Sequence, residues 1–129
     1  MLIYPQSTGA WANEDGTALL DANGDAVIGW SGNHDGRNNG DMDDKPCLGP
    51  LPKGEYTICP WEDHHDHLGP MVAFLKPDID NVMHGRGDFF IHGPGGADPA
   101  NCSKGCTVVP HVGREAIKDS GETRVRVVA

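Results

Sequence analysis

Turn-forming residues punctuate this chain too densely for long helices: 18 glycines and 10 prolines fall among 129 residues. Between them lie short segments rich in Val, Ile, Tyr, Phe and Thr, the residues that suit a half-buried strand. The expectation is therefore a mainly β fold with one short helix, organised as a single domain over residues 1–129. That length supports one hydrophobic core but not two.

Strands can be placed from the punctuation. Residues 13–16 (Asn-Glu-Asp-Gly) and 21–25 (Asp-Ala-Asn-Gly-Asp) read as hairpin turns, because Asn, Asp and Gly tolerate positive φ. Residues 17–20 and 26–30 then read as paired strands. Further strands are expected at residues 54–58, bounded by Pro52 and Pro60, and at residues 71–75, stopped by Pro77. Residues 112–120 hold about two turns of helix ending near Gly121, and residues 123–128 alternate as a closing edge strand. Residues 31–46 form a long polar loop with little to bury, which suggests a lid or binding loop of low local stability. Residues 61–67 read as a polar, His-rich connection.

Chemistry concentrates in one run, FFIHGPGGADPANCSKGCTVV, from Phe89 to Val109. A strand over residues 88–91 ends at His92, Gly-rich loop follows, and β-branched Thr107, Val108 and Val109 start a second strand at Cys106. A thiol and an imidazole brought together are the minimum parts of a cysteine nucleophile: the imidazole takes the proton and the thiolate attacks a carbonyl. Cys106 at the mouth of a strand can aim the backbone N–H groups of Gly105 and Cys106 at a developing oxyanion, and a side chain at Gly105 would crowd that pocket. Ser103 either hydrogen-bonds the imidazole or caps the loop. The competing structural reading makes Cys106 a disulfide partner: Cys102–Cys106 and Cys47–Cys59 are the sequence-neighbouring pairs among four cysteines.

His92-Gly93 followed by Ser103-Lys104-Gly105-Cys106 resembles the signature of the L,D-transpeptidase (YkuD-type) family of peptidoglycan enzymes. The blocks TGAWANEDG, GWSGNHDGRNN, CLGPLPKGEYTI, HLGPMVAFLKP and GRGDFFIHG extend the likeness over roughly residues 4 to 110. In that order they are similar to the small L,D-transpeptidase-like toxins of type VI secretion. The resemblance implies a β-sandwich-like catalytic domain, a Cys106 nucleophile, a His92 base and peptidoglycan stem tetrapeptides as substrate. It implies L,D-carboxypeptidase action or D-amino-acid exchange through a thioester, with no metal or organic cofactor. It also implies action in the periplasm of target bacteria and a cognate immunity protein. A housekeeping enzyme forming 3,3-crosslinks is the alternative, and an inactive, disulfide-bonded wall-binding domain is the alternative from another class. Many transpeptidases carry an Arg soon after the Cys, whereas Thr107, Val108, Val109 and Pro110 stand here. Arg86 or Arg114 can replace it, and so can Arg37 from the polar loop by pairing with a substrate carboxylate.

Other candidates for substrate contact are Gly93, Asn39 and His67, which precedes Leu68-Gly69-Pro70. His64, His65, Asp66 and His67 suggest metal ligands by composition, but adjacent side chains on an extended segment point to opposite faces, so a surface loop is expected. The formal charge is −9 with no basic cluster, which argues against nucleic acid as a partner. No apolar run approaches a membrane span, and the start MLIYPQSTGAW lacks the pattern of a signal peptide. The expectation is a monomer made in the cytoplasm that leaves by a route reading no cleavable signal.

Overall fold

A computed structural model describes residues 1–94 and 105–129 of the chain. Among the described residues eight strands are present: β1 (Leu2–Pro5), β2 (Trp30–Ser31), β3 (Gly54–Ile58), β4 (Glu62–His65), β5 (Gly69–Pro77), β6 (Phe89–His92), β7 (Thr107–Val108) and β8 (Arg124–Val128). They are accompanied there by one α-helix, α1 (His111–Asp119). The strand order is β1-β8-β3-β5-β6-β7-β2, with β4 paired on β5. The sheet curls into a half-barrel, so the fold is mainly β with one short helix, as the sequence suggests.

Alternation builds the core. Tyr56 and Ile58 on β3, Ala73 and Leu75 on β5, Phe89 and Ile91 on β6, and Val125 and Val127 on β8 all point inward. Burying each large apolar side chain contributes about 1.5–3 kcal/mol. Helix α1 follows Pro110, buries Gly113, Arg114 and Ile117, and ends at Gly121, whose φ of +73° suits the residue after a helix C-cap.

Four local expectations need correction. Residues 17–20 and 26–30 do pair, antiparallel at Leu20 and Ala26, but through an isolated bridge rather than a regular ladder. Trp11 N–H donates to the Val27 carbonyl, Val27 N–H to Leu19, and Leu19 N–H to Trp11. Three segments that each pair with both others close a triangle, which cannot extend as a flat sheet. Glu62–His65 is a strand rather than a connection, because it doubles back on β5 with His65 opposite Gly69. The closing strand β8 is interior: Leu2–Pro5 pairs parallel outside it, and β3 pairs antiparallel on the other side. Finally, the polar loop is pinned. It contains two 3-10 turns, His34–Gly36 and Gly40–Met42, and buries Asn33 and Asp43. Asn33 Nδ2 donates to the Cys47 carbonyl and Gln6 Nε2 to Asp43, so hydrogen bonds supply the anchors that apolar side chains lack.

Candidate active site

Strands β6 and β7 run parallel, with Ile91 opposite Thr107 and His92 opposite Val108. This register sets Cys106 beside Phe90, and the contact is direct: Phe90 N–H donates to Cys106 Sγ at 3.4 Å. A backbone N–H aimed at sulfur favours the thiolate over the thiol. Phe90 and His92 lie two residues apart on one strand and therefore share a face. His92 is 2% and Cys106 6% exposed. His92 Nδ1 lies 2.8 Å from the Gly93 carbonyl oxygen. A carbonyl only accepts, so Nδ1 carries the proton in the neutral ring, and Nε2 presents the lone pair that a general base needs.

Each motif glycine is matched to an arginine. A Cβ on Gly93 would stand 2.6 Å from Arg114 Nη2. Gly105, at φ +105°, has the Phe89 ring and Arg86 Nη2 where its Cβ would go. Both guanidinium groups donate to backbone carbonyls. Arg114 reaches Val109 through Nε and Pro70 and Met71 through Nη1, at 2.6–3.0 Å. Arg86 reaches Asp43, Pro50 and Gly49 at 2.6–2.9 Å and lies over the Phe89 ring. Burial lowers the pKa of both, with Asp43 opposing the shift at Arg86 and Glu115 at Arg114. Arg114 ties the start of β5 to the end of β7 behind Gly93. Arg86 ties the 43–50 segment to the turn before the thiol.

Ser31, which has no exposed surface, is a positioning residue that the sequence did not reveal. Its Oγ donates to the Gly105 carbonyl at 2.9 Å and accepts from Leu51 N–H at 2.8 Å. In a trans peptide the C=O and N–H point oppositely, so holding the Gly105 oxygen also sets the direction of Cys106 N–H.

The remaining expected residues are distributed as follows. Ser103 and Cys102 lie outside the described residues. His67 is exposed in the β4–β5 turn, and it is His65 that packs edge-on against Phe90, with ring centroids 5.2 Å apart. Phe74 also meets Phe90 edge-on at 5.2 Å, giving an aromatic flank next to Cys106 that hydropathy did not single out. Asn39 is spent within its loop: its side chain accepts from Asp41 N–H and donates to the Asp35 carbonyl. Arg37 stacks over the Trp30 ring at 4.6 Å. Among the described residues no three His, Cys, Asp or Glu side chains gather as a metal site. Cys47 and Cys59 are free thiols, so the expected Cys47–Cys59 bridge is not formed, while a Cys102–Cys106 bridge involves a residue outside the described ones. No helix among the described residues is long and apolar enough to cross a membrane.

Residues 25–129 match the family model described as the Tlde1 domain. Searches of curated proteins and of solved structures each find no match. A family match over most of the chain is decisive: the protein belongs to the Tlde1 domain family, type VI secretion effectors that target peptidoglycan.

Proposed function

We propose that this protein is a cysteine-dependent enzyme acting on peptidoglycan stem tetrapeptides, with Cys106 as nucleophile and His92 as base. The observation that carries the reading is the parallel β6–β7 register, which sets Cys106 against Phe90 N–H, two residues along β6 from a His92 ring held by the Gly93 carbonyl. His92 Nε2 takes the thiol proton, and the thiolate adds to the carbonyl at the L-centre of the diamino acid. The oxyanion is held by backbone N–H groups of the Gly105–Cys106 turn. The C–N bond to the terminal D-Ala then breaks, and His92 returns the proton to the leaving amine.

A Cys106 thioester of the tripeptide remains. Water attacking it regenerates the thiol and gives L,D-carboxypeptidase action. A free D-amino acid gives exchange, and another stem gives a 3,3-crosslink. The first two consume crosslinking donors and weaken the wall, which suits an effector of this family acting in the periplasm of target bacteria. A producing cell then needs an immunity protein in that compartment.

Purified muropeptides incubated with wild type and with Cys106→Ala test the reading. Conversion of tetrapeptide to tripeptide by wild type alone is expected. Equal conversion by both proteins removes Cys106 from the mechanism.

A further inference from the structure

Trp30 and Val108 are opposed across β2 and β7, and Val108 and His92 are opposed across β7 and β6. Directly paired residues share a face, so Trp30, Val108 and His92 form one row, and Trp30 lies two strands from the imidazole. The guanidinium carbon of Arg37 lies over that Trp30 ring, 4.6 Å from its centroid. Its position is built. Asn38 N–H donates to the Ser31 carbonyl at 2.8 Å, and Asn38 Oδ1 accepts from Ser31 N–H at 3.1 Å. The loop is thereby closed on Ser31, the residue that also holds the Gly105 carbonyl. One residue thus links the Arg37 loop, through its backbone, to the nucleophile turn, through its hydroxyl.

The five arginines differ in what they have left to offer. Arg86 and Arg114 are consumed by carbonyls. Arg124 pairs with Asp78 and Glu55, and Arg126 with Glu55. Arg37 is exposed, and among the described residues its guanidinium has no carboxylate or carbonyl partner. A cation–π contact uses none of the guanidinium's N–H hydrogen bonds on an acceptor oxygen, and those N–H groups can grip a carboxylate through two parallel bonds.

We infer that Arg37, held over Trp30, forms the subsite that takes a carboxylate of the bound stem peptide. The inference rests on the peptidoglycan reading for its ligand. Three free carboxylates of a tetrapeptide offer the same chemistry: the terminal one of the leaving D-Ala, the one on the diamino acid's D-centre and the α-carboxylate of the γ-linked D-Glu.

Calorimetric binding of tetrapeptide to the inert Cys106→Ala protein, with and without Arg37→Gln, tests it. Loss of a charge-assisted pair is expected to weaken binding roughly 10- to 100-fold. Trp30→Leu is expected to weaken binding in the same direction, and Arg37→Lys to recover part of the loss, since it keeps the charge without the fork. Tetrapeptides amidated at each of the three carboxylates in turn identify the group: the peptide blocked at the one Arg37 reads binds both proteins equally. Affinities within twofold for the two proteins overturn the subsite, as does a gap that survives all three amidations. D-Ala release by the protein with Cys106 intact reports separately on the catalytic reading, so a binding gap without turnover condemns the mechanism and leaves the subsite standing.

Discussion

Replacing Gly93 with alanine isolates the packing of Arg114 behind the residue that follows His92. The new Cβ would stand 2.6 Å from Nη2, 2.9 Å from Cζ and 3.3 Å from Nη1. Gly93 is outside the left-handed region, so its backbone accepts alanine without strain. Arg114 has little room to retreat: it is 5% exposed and held by carbonyls of Val109, Pro70 and Met71. If it stays, overpacking costs about 1–3 kcal/mol. If it moves, losing one charged hydrogen bond costs about 1.5–3 kcal/mol. Alanine restrains the unfolded chain and returns about 0.4–1 kcal/mol. The net expectation is a destabilisation of about 1–2 kcal/mol, read from the urea midpoint at constant slope. The second arm removes the obstacle. In an Arg114→Met background, itself destabilised by three carbonyls losing their donor, Gly93→Ala is expected to cost almost nothing, a coupling of about 1–2 kcal/mol. A neutral Gly93→Ala, or the same cost in both backgrounds, refutes the idea that Arg114 dictates the glycine.

Gly105→Ala should destabilise more than Gly93→Ala, by about 2–5 kcal/mol in thermal unfolding, because φ of +105° adds strain to the clash with the Phe89 ring and Arg86; a smaller effect than at Gly93 contradicts this. The alkylation rate of Cys106 against pH should show thiolate well below the free value of about 8.5, and His92→Ala should move the profile upward; an unchanged profile removes His92 as the activating base. Burial pushes the Tyr4 hydroxyl up to about 12, and burial raises that of Tyr56 as well. Folded tyrosines therefore keep protons that the unfolded chain releases near pH 10, so stability holds below pH 10 and falls as pH climbs from 10 toward 12. A flat unfolding midpoint across that window rules out these two groups as its source.

The sequence made the central strands and the thiol–imidazole pattern legible because both are local. Phe89–His92 and Gly54–Ile58 lie close to glycine or proline, and Arg124–Val128 alternates between buried and more exposed positions. What it hid depends on partners far along the chain. Ser31 meets Gly105 across 74 positions, and Arg86 meets the 43–50 segment from about 40 residues away. No periodicity announces a buried serine or an arginine that binds carbonyls. The Trp11–Leu19–Val27 triangle was hidden for a related reason: each segment reads as a strand, and only three-way pairing decides otherwise. The His-rich stretch was misread because polar composition outweighed a hairpin set by Gly69 at φ +81°.

The thioester on Cys106 is the claim on which the rest depends, and hydroxylamine interception tests it most directly. Tetrapeptide is mixed with wild type at neutral pH in the presence of hydroxylamine, and the products are resolved by mass. A tripeptide hydroxamate should appear as free D-Ala is released, and neither should form with Cys106→Ala. D-Ala release that persists in Cys106→Ala, or release by wild type that never yields hydroxamate at any hydroxylamine concentration, contradicts a Cys106 acyl-enzyme.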